Sequence, residues 1–151
     1  ESVIGSLLSD IIICSITLDD NERFVMIDQH QIEQILINLS INARDAMPAG
    51  GTLAISTRLE TIEKAYSCSH GDIPRGDYMV LSVSDTGHGI AEEILARIFQ
   101  PFFSTKPDNK GTGLGLSIIH DIVQQHKGFI DVKSVLKQGT VFSVYFPALS
   151  D

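Results

Sequence analysis

The chain lacks any long apolar run. Stretches such as Ile11-Ile12-Ile13-Cys14 stop far short of the roughly 18 residues that span a bilayer. A charged start followed by an apolar segment, the mark of a signal peptide, is also missing. A soluble, cytoplasmic piece without direct membrane contact is therefore expected, whether free or as the inner portion of a membrane-bound protein. Cysteine is scarce: Cys14 and Cys68 are the only two, far apart and without CxxC spacing, so neither a disulfide framework nor a zinc site is indicated. Basic residues are few, with 11 Lys and Arg against 19 Asp and Glu for a net charge of −8. That balance repels a polyphosphate backbone, so no nucleic-acid partner is expected. What is present, 43% hydrophobic and 20% charged residues over 151 positions, fits one globular domain across residues 1–151, with no repeats.

Two β-prone runs, Ile11 to Ile16 and Phe24 to Ile27, are split by the turn-like Asp19-Asp20-Asn21-Glu22. From Gln31 the apolar residues Ile32, Ile35, Leu36, Leu39, Ala43 and Ala46 adopt helical spacing, which stops at Pro48-Ala49-Gly50-Gly51. Thr52 to Leu59 and Tyr78 to Asp85 alternate as strands, with the polar stretch between them read as a hairpin loop. A short helix is expected from Ala91 to Phe99, closed by Pro101. Gln100 to Gly113 shows little periodicity and reads as a mobile, functional loop. A helix from Leu114 to about His126 and strands Phe129 to Ser134 and Thr140 to Phe146 complete the chain. This order predicts an α+β fold: a two-layer α/β sandwich, one mixed sheet covered on one face by helices.

Several residues carry chemistry. Asn38, Asn42 and Asp45 form one polar stripe beside the apolar face of the Gln31 helix. A solvated face is the plain explanation. Asn is a mediocre helix former, however, and its carbonyl is a hard ligand suited to magnesium, so Asn42 is a metal candidate. Asp85 shares strand parity with Met79, Leu81 and Val83 and so points into the core, where a carboxylate needs donors. It can cap the turn through Thr86-Gly87, or accept from a purine amine that Gly87 and Gly89 let approach. His88 between them reads as a solvent-facing spacer. Gly111-Thr112-Gly113-Leu114-Gly115-Leu116-Ser117 opens a helix, where bare amides and the dipole can bind phosphate, although such a run also occurs in simple turns. Lys106 is either a surface lysine or a point charge for a terminal phosphate. Thr140 faces inward with Phe142, Val144 and Phe146, either as a satisfied core threonine or as a contact to a water or ligand nitrogen.

Together and in this order, the motifs resemble the nucleotide-binding catalytic domain of sensor histidine kinases, in the superfamily of DNA gyrase, Hsp90 and MutL. The resemblance runs from about Asp28 to Pro147. Asn38 to Ala46 is similar to the N box, Asp85 to Ile90 to the first glycine box, Phe99-Gln100-Pro101-Phe102-Phe103 to the phenylalanine box, and Gly111 to Leu116 to the second glycine box. It implies a Bergerat-type sandwich with a flexible ATP lid, Mg2+ on Asn42, the adenine amine on Asp85, Ile90 against the ring, and Thr140 acting through water. Lys106, Gly113, Gly115 and neighbouring amides would hold the phosphates. Contacts to ATP are thus expected from Asn38, Asn42, Asp45, Ala46, Asp85, Gly87, Gly89, Ile90, Phe99, Lys106, Gly111, Thr112, Gly113, Leu114, Gly115, Leu116 and Thr140. Asn38 and Lys106 are the candidates for a part in catalysis.

The implied reaction moves the γ-phosphoryl of ATP to a histidine nitrogen, relying on in-line placement and charge stabilisation. The acceptor histidine is expected on a separate dimerisation hairpin, because His30, His70, His88, His120 and His126 lie in no matching context. His120-Asp121 reads as a solvent-facing pair. Glu1 to Leu8 would be the tail of that hairpin, and the receiver domain of a cognate response regulator the downstream partner. Two positions depart from the pattern. Asn38 stands where hydrolytic relatives place a glutamate base, so slow hydrolysis is expected. Asp45 stands where many such kinases carry a lysine. The alternatives are a stand-alone serine kinase of the anti-sigma-factor type, against which the phenylalanine box and long lid argue, and a non-catalytic ATP-sensing module.

Overall fold

A computed structural model describes residues 12–17, 28–101 and 115–148. The expected strand Phe24 to Ile27, the tail Glu1 to Leu8 and the loop from Phe102 to Leu114 lie outside these residues.

The longest helix, α1 (Gln29–Ala46), starts where Asp28 adopts extended backbone and its Oδ1 accepts the His30 N–H at 2.7 Å. This satisfies one of the amides that a helix start leaves bare. It ends before Pro48, and Arg44 in the last turn sits favourably on the negative end of the dipole. Its apolar stripe buries Ile35, Leu39 and Ala43. Strand β1 (Ile12–Thr17) precedes it and pairs parallel with β2 (Gly51–Ile62), so α1 is the crossover between them.

After β2 come β3 (Tyr66–Cys68), β4 (Gly71–Ile73) and β5 (Gly76–Asp85), then the four-residue helix α2 (Glu92–Leu95). Helix α3 (Gly115–Gln125) and the hairpin β6 (Phe129–Val135) and β7 (Gly139–Pro147) follow. The main sheet runs β1-β2-β5-β7-β6, antiparallel except at β1–β2. Helices α1 and α3 cover one face, where Ile35, Leu39, Ile119 and Val123 meet Leu53, Val83, Phe142 and Val144 in one core. Burying each such side chain contributes roughly 1.5–3 kcal/mol. The expected mixed sheet with helices on one face is what the chain forms.

Two details differ from expectation. The segment between β2 and β5 is not a plain loop: β3 and β4 form a small antiparallel hairpin that covers Tyr78, Val80 and Tyr145 on the sheet's other face through Ile73. Strands of three residues are too short to show alternation. The helix expected from Ala91 to Phe99 is helical only to Leu95. It continues as i→i−3 turns, with Arg97 N–H on Ile94 O at 2.9 Å and Gln100 N–H on Arg97 O at 3.0 Å, a geometry that does not propagate far.

Candidate functional site

Asp85 ends β5, and its direct cross-strand partner on β7 is Thr140. Both side chains point toward the helix layer and are buried, 7% and 4% exposed. Asp85 Oδ1 accepts the Gly87 N–H at 2.8 Å, so the carboxylate does cap its own turn. Burial pushes its carboxyl above the usual carboxylate range, partly offset by the amides of Gly87 and Thr140. A buried acceptor of this kind gains from any further N–H brought to it.

The turn after Asp85 docks on the end of α1. His88 N–H donates to Ala46 O at 3.0 Å, and a Cβ on Gly87 would stand 2.5 Å from the same oxygen. Only glycine permits that approach. Gly89 takes a positive φ of 77°, and a Cβ there would run into the Val135 carbonyl, which is why the second glycine is needed. Ile90 follows, half-buried against the core, and its N–H donates to Ser134 Oγ at 2.7 Å. The His88 side chain is exposed, with Nδ1 2.8 Å from the neighbouring Gly89 O, in keeping with a spacer.

Along α1 the polar stripe divides. Asn38 is committed at both ends of its amide: Nδ2 donates to Gly115 O at 3.0 Å and Oδ1 accepts from Gln34 Nε2 at 2.8 Å. It therefore braces α1 against the first residue of α3. Asn42, one turn on, makes no side-chain hydrogen bond among the described residues, which leaves its carbonyl available to a hard cation. One neutral amide is a donor set suited to magnesium that retains waters and phosphate oxygens. Asp45 is paired with Arg44 at 3.3 Å.

Phe99 is tied into the core. Its ring lies edge-on to His70 at 4.6 Å and Phe142 at 6.5 Å, and tilted against His120 at 5.7 Å. His120 is thus half-buried against an aromatic ring, a correction to its reading as a solvent-facing residue, because α3 turns that side toward the sheet. His70, at the tip of the β3–β4 hairpin, bonds Leu95 O through Nε2 at 2.9 Å and Ser69 Oγ through Nδ1 at 2.8 Å. Burial lowers its pKa below the usual histidine value. Gly115 and Leu116 open α3, and among the described residues nothing stands within 4 Å of where a Gly115 Cβ would be. Lys106, Gly111, Thr112, Gly113 and Leu114 lie outside the described residues.

The structure thus brings Asp85, Thr140, Gly87, Gly89, Ile90 and Ala46 together. It holds Asn38 and Phe99 in structural contacts of their own. Sequence reasoning missed Ser134, the direct partner of Thr140 across β6–β7. Its parity with Ile130 and Val132, both buried, was the available signal.

Residues 27–150 match the family model for histidine kinase-, DNA gyrase B- and HSP90-like ATPases. The chain is 46% identical over 125 residues to sensor kinase CckA of Brucella abortus (strain 2308), covering 83% of this chain and 13% of that protein. It is 40% identical over 121 residues to sporulation kinase A of Bacillus subtilis (strain 168), covering 80% of this chain and 17% of that protein. The chain therefore spans under a fifth of the length of either relative. Among solved structures it is similar to the catalytic domain of histidine kinase ThkA, with a TM-score of 0.70 and 28% identity over 97% of this chain and 83% of that one.

Proposed function

Since the chain belongs to the family of histidine kinase-, DNA gyrase B- and HSP90-like ATPases, we propose that it binds MgATP and donates the γ-phosphoryl group to a histidine on a separate dimerisation hairpin, as the kinase half of a two-component signalling protein. The observation that carries this reading is the buried Asp85–Thr140 pair, two oxygens set side by side at the mouth of a glycine-lined turn. Asp85 accepts an N–H from the purine amine while Gly87 N–H holds the other flank of the carboxylate, and Ile90 lies against the ring. The α3 amides, with the helix dipole behind them, face the phosphates, joined by Gly113 and Lys106. Asn42 would hold the magnesium ion, which would supply positive charge to the phosphate oxygens.

The chain's own part in the reaction is placement. Asn38 replaces the glutamate that would activate water, and its amide is already engaged by Gly115 and Gln34, so hydrolysis is slow and the acceptor histidine competes well. In the transfer the bond from the γ-phosphorus to the bridging oxygen breaks, a nitrogen–phosphorus bond forms, and ADP leaves. The same proposal takes residues 1–151 as one domain. It places the domain in the cytoplasm, signalling to a receiver domain; among the described residues no helix is long and apolar enough to cross a membrane.

The test supplies a histidine-bearing hairpin in trans with labelled ATP. Acid-labile phosphate on the hairpin, and none on this chain alone, is expected. Label on this chain alone overturns the separate-acceptor reading, and acid-stable phosphoserine on a protein substrate favours a serine kinase instead.

A further inference from the structure

Ser134 lies behind the purine end of the site, and its one hydroxyl meets three groups. Ile90 N–H donates to Ser134 Oγ at 2.7 Å, Ser134 Oγ donates to Gly139 O at 3.1 Å, and Ser134 Oγ and Thr140 Oγ1 are 2.8 Å apart. Two hydroxyl hydrogens are available for the last two contacts. A carbonyl can only accept, so the single arrangement that makes both of them hydrogen bonds has Ser134 donating to Gly139 O and Thr140 donating to Ser134. Ser134 is then saturated, with one bond donated and two accepted. Thr140 has spent its only hydrogen and offers nothing but lone pairs.

We propose that Ser134 is a specificity-determining positioning residue: by drawing the Thr140 hydrogen to itself, it turns the Thr140 hydroxyl into an acceptor and makes the site select 6-amino over 6-oxo purine nucleotides. This deepens, and rests on, the ATP reading of Asp85 and Thr140. The two are direct cross-strand partners on one face, so their side-chain oxygens lie within reach of one ring edge. With Asp85 ionised and Thr140 oriented by Ser134, that edge meets two acceptors. An exocyclic amine, or a water that carries its hydrogens, pairs with both; a 6-oxo group sets oxygen against oxygen. Without the Ser134 oxygen, the Thr140 hydroxyl rotates freely and donates to a 6-oxo group. The Ile90 amide loses its acceptor at the same time, but that loss weakens both nucleotides alike, so the ratio of the two affinities isolates the hydroxyl direction.

The experiment is isothermal titration of the 151-residue chain with MgATP and with MgITP, which carries oxygen in place of the amine at position 6. Wild type prefers MgATP by about a hundredfold, the upper part of the range that leaving a buried polar group unsatisfied costs. Ser134→Ala shrinks that ratio by about fivefold to tenfold, the worth of one hydrogen bond, and Ser134→Thr, which keeps the hydroxyl, restores it. If Ser134→Ala does not melt cooperatively, Ser134→Cys makes the same test, since a thiol is close in volume to the hydroxyl but is a weak acceptor for the Thr140 hydrogen. A ratio that survives the alanine or cysteine change intact, or equal affinities in wild type, overturns the inference. Failure of wild type to bind either nucleotide overturns the functional reading itself.

Discussion

Replacing Gly87 with alanine tests whether the purine-side turn is built onto the end of α1. The added Cβ would stand 2.5 Å from Ala46 O, 2.7 Å from Ala46 Cβ and 2.8 Å from Ala46 C. These are atoms of a helix end, which cannot rotate away as a flexible side chain would. Either the turn lifts or α1 shifts, and overpacking of this kind costs about 1–3 kcal/mol. Lifting the turn also breaks the His88 N–H bond to Ala46 O, a further loss of about 1 kcal/mol. The sum, about 2–4 kcal/mol, lowers Tm by roughly 4–16 °C for a chain of this size. The displaced turn also withdraws the Gly87 amide from Asp85 and weakens ATP binding. Thermal melts followed by circular dichroism, with nucleotide titration on the folded protein, read both effects. Gly115→Ala is the control, because among the described residues its Cβ meets nothing within 4 Å, and it leaves Tm unchanged or raised. A Gly87→Ala protein melting within about 2 °C of wild type and binding ATP normally would refute the reasoning.

Asp85→Asn separates binding from stability. The lost charge-assisted bond lowers ATP affinity by at least about tenfold. The folded-state pKa of Asp85 is raised, so ionisation at neutral pH works against the fold, and the amide leaves Tm level or higher; a clear fall in Tm would contradict that sign. Asn42→Ala weakens binding of MgATP but not of ATP in EDTA, and equal losses under both conditions would remove Asn42 from the metal. For His70 the folded-state pKa is lowered, so the unfolded chain takes up its proton first as pH falls below about 6.5, and stability declines from there downward. His70→Gln, measured by melts between pH 7.5 and 5.5, flattens that decline; an unaltered slope would clear His70 of it.

Helix α1 and the long strands were readable because each repeats its period several times within one segment. Asp85 and Thr140 were readable for the same reason, their inward orientation following from strand parity alone. What stayed hidden depends on register between segments. That Thr140 stands opposite both Asp85 and Ser134 is decided by how β5, β6 and β7 align, which no single strand reveals. The β3–β4 hairpin was too short for periodicity, and the packing of His70 and His120 on Phe99 joins three elements distant in sequence. The Asn38 stripe was seen, but its division into a brace and an open carbonyl was not, since that turns on where α3 begins.

Helix α1 grips the molecule at two places: Asn38 holds the start of α3 and Ala46 holds the turn after β5. Eight residues separate these grips, which at 1.5 Å of rise each fixes them about 12 Å apart along the axis. The helix thereby serves as a caliper whose jaws, under the proposed ATP reading, would be the base end and the phosphate end. Deleting one residue between them would close the jaws by about 1.5 Å and swing one against the other by about 100°, so the length of this stretch is as tightly constrained as any side chain on it.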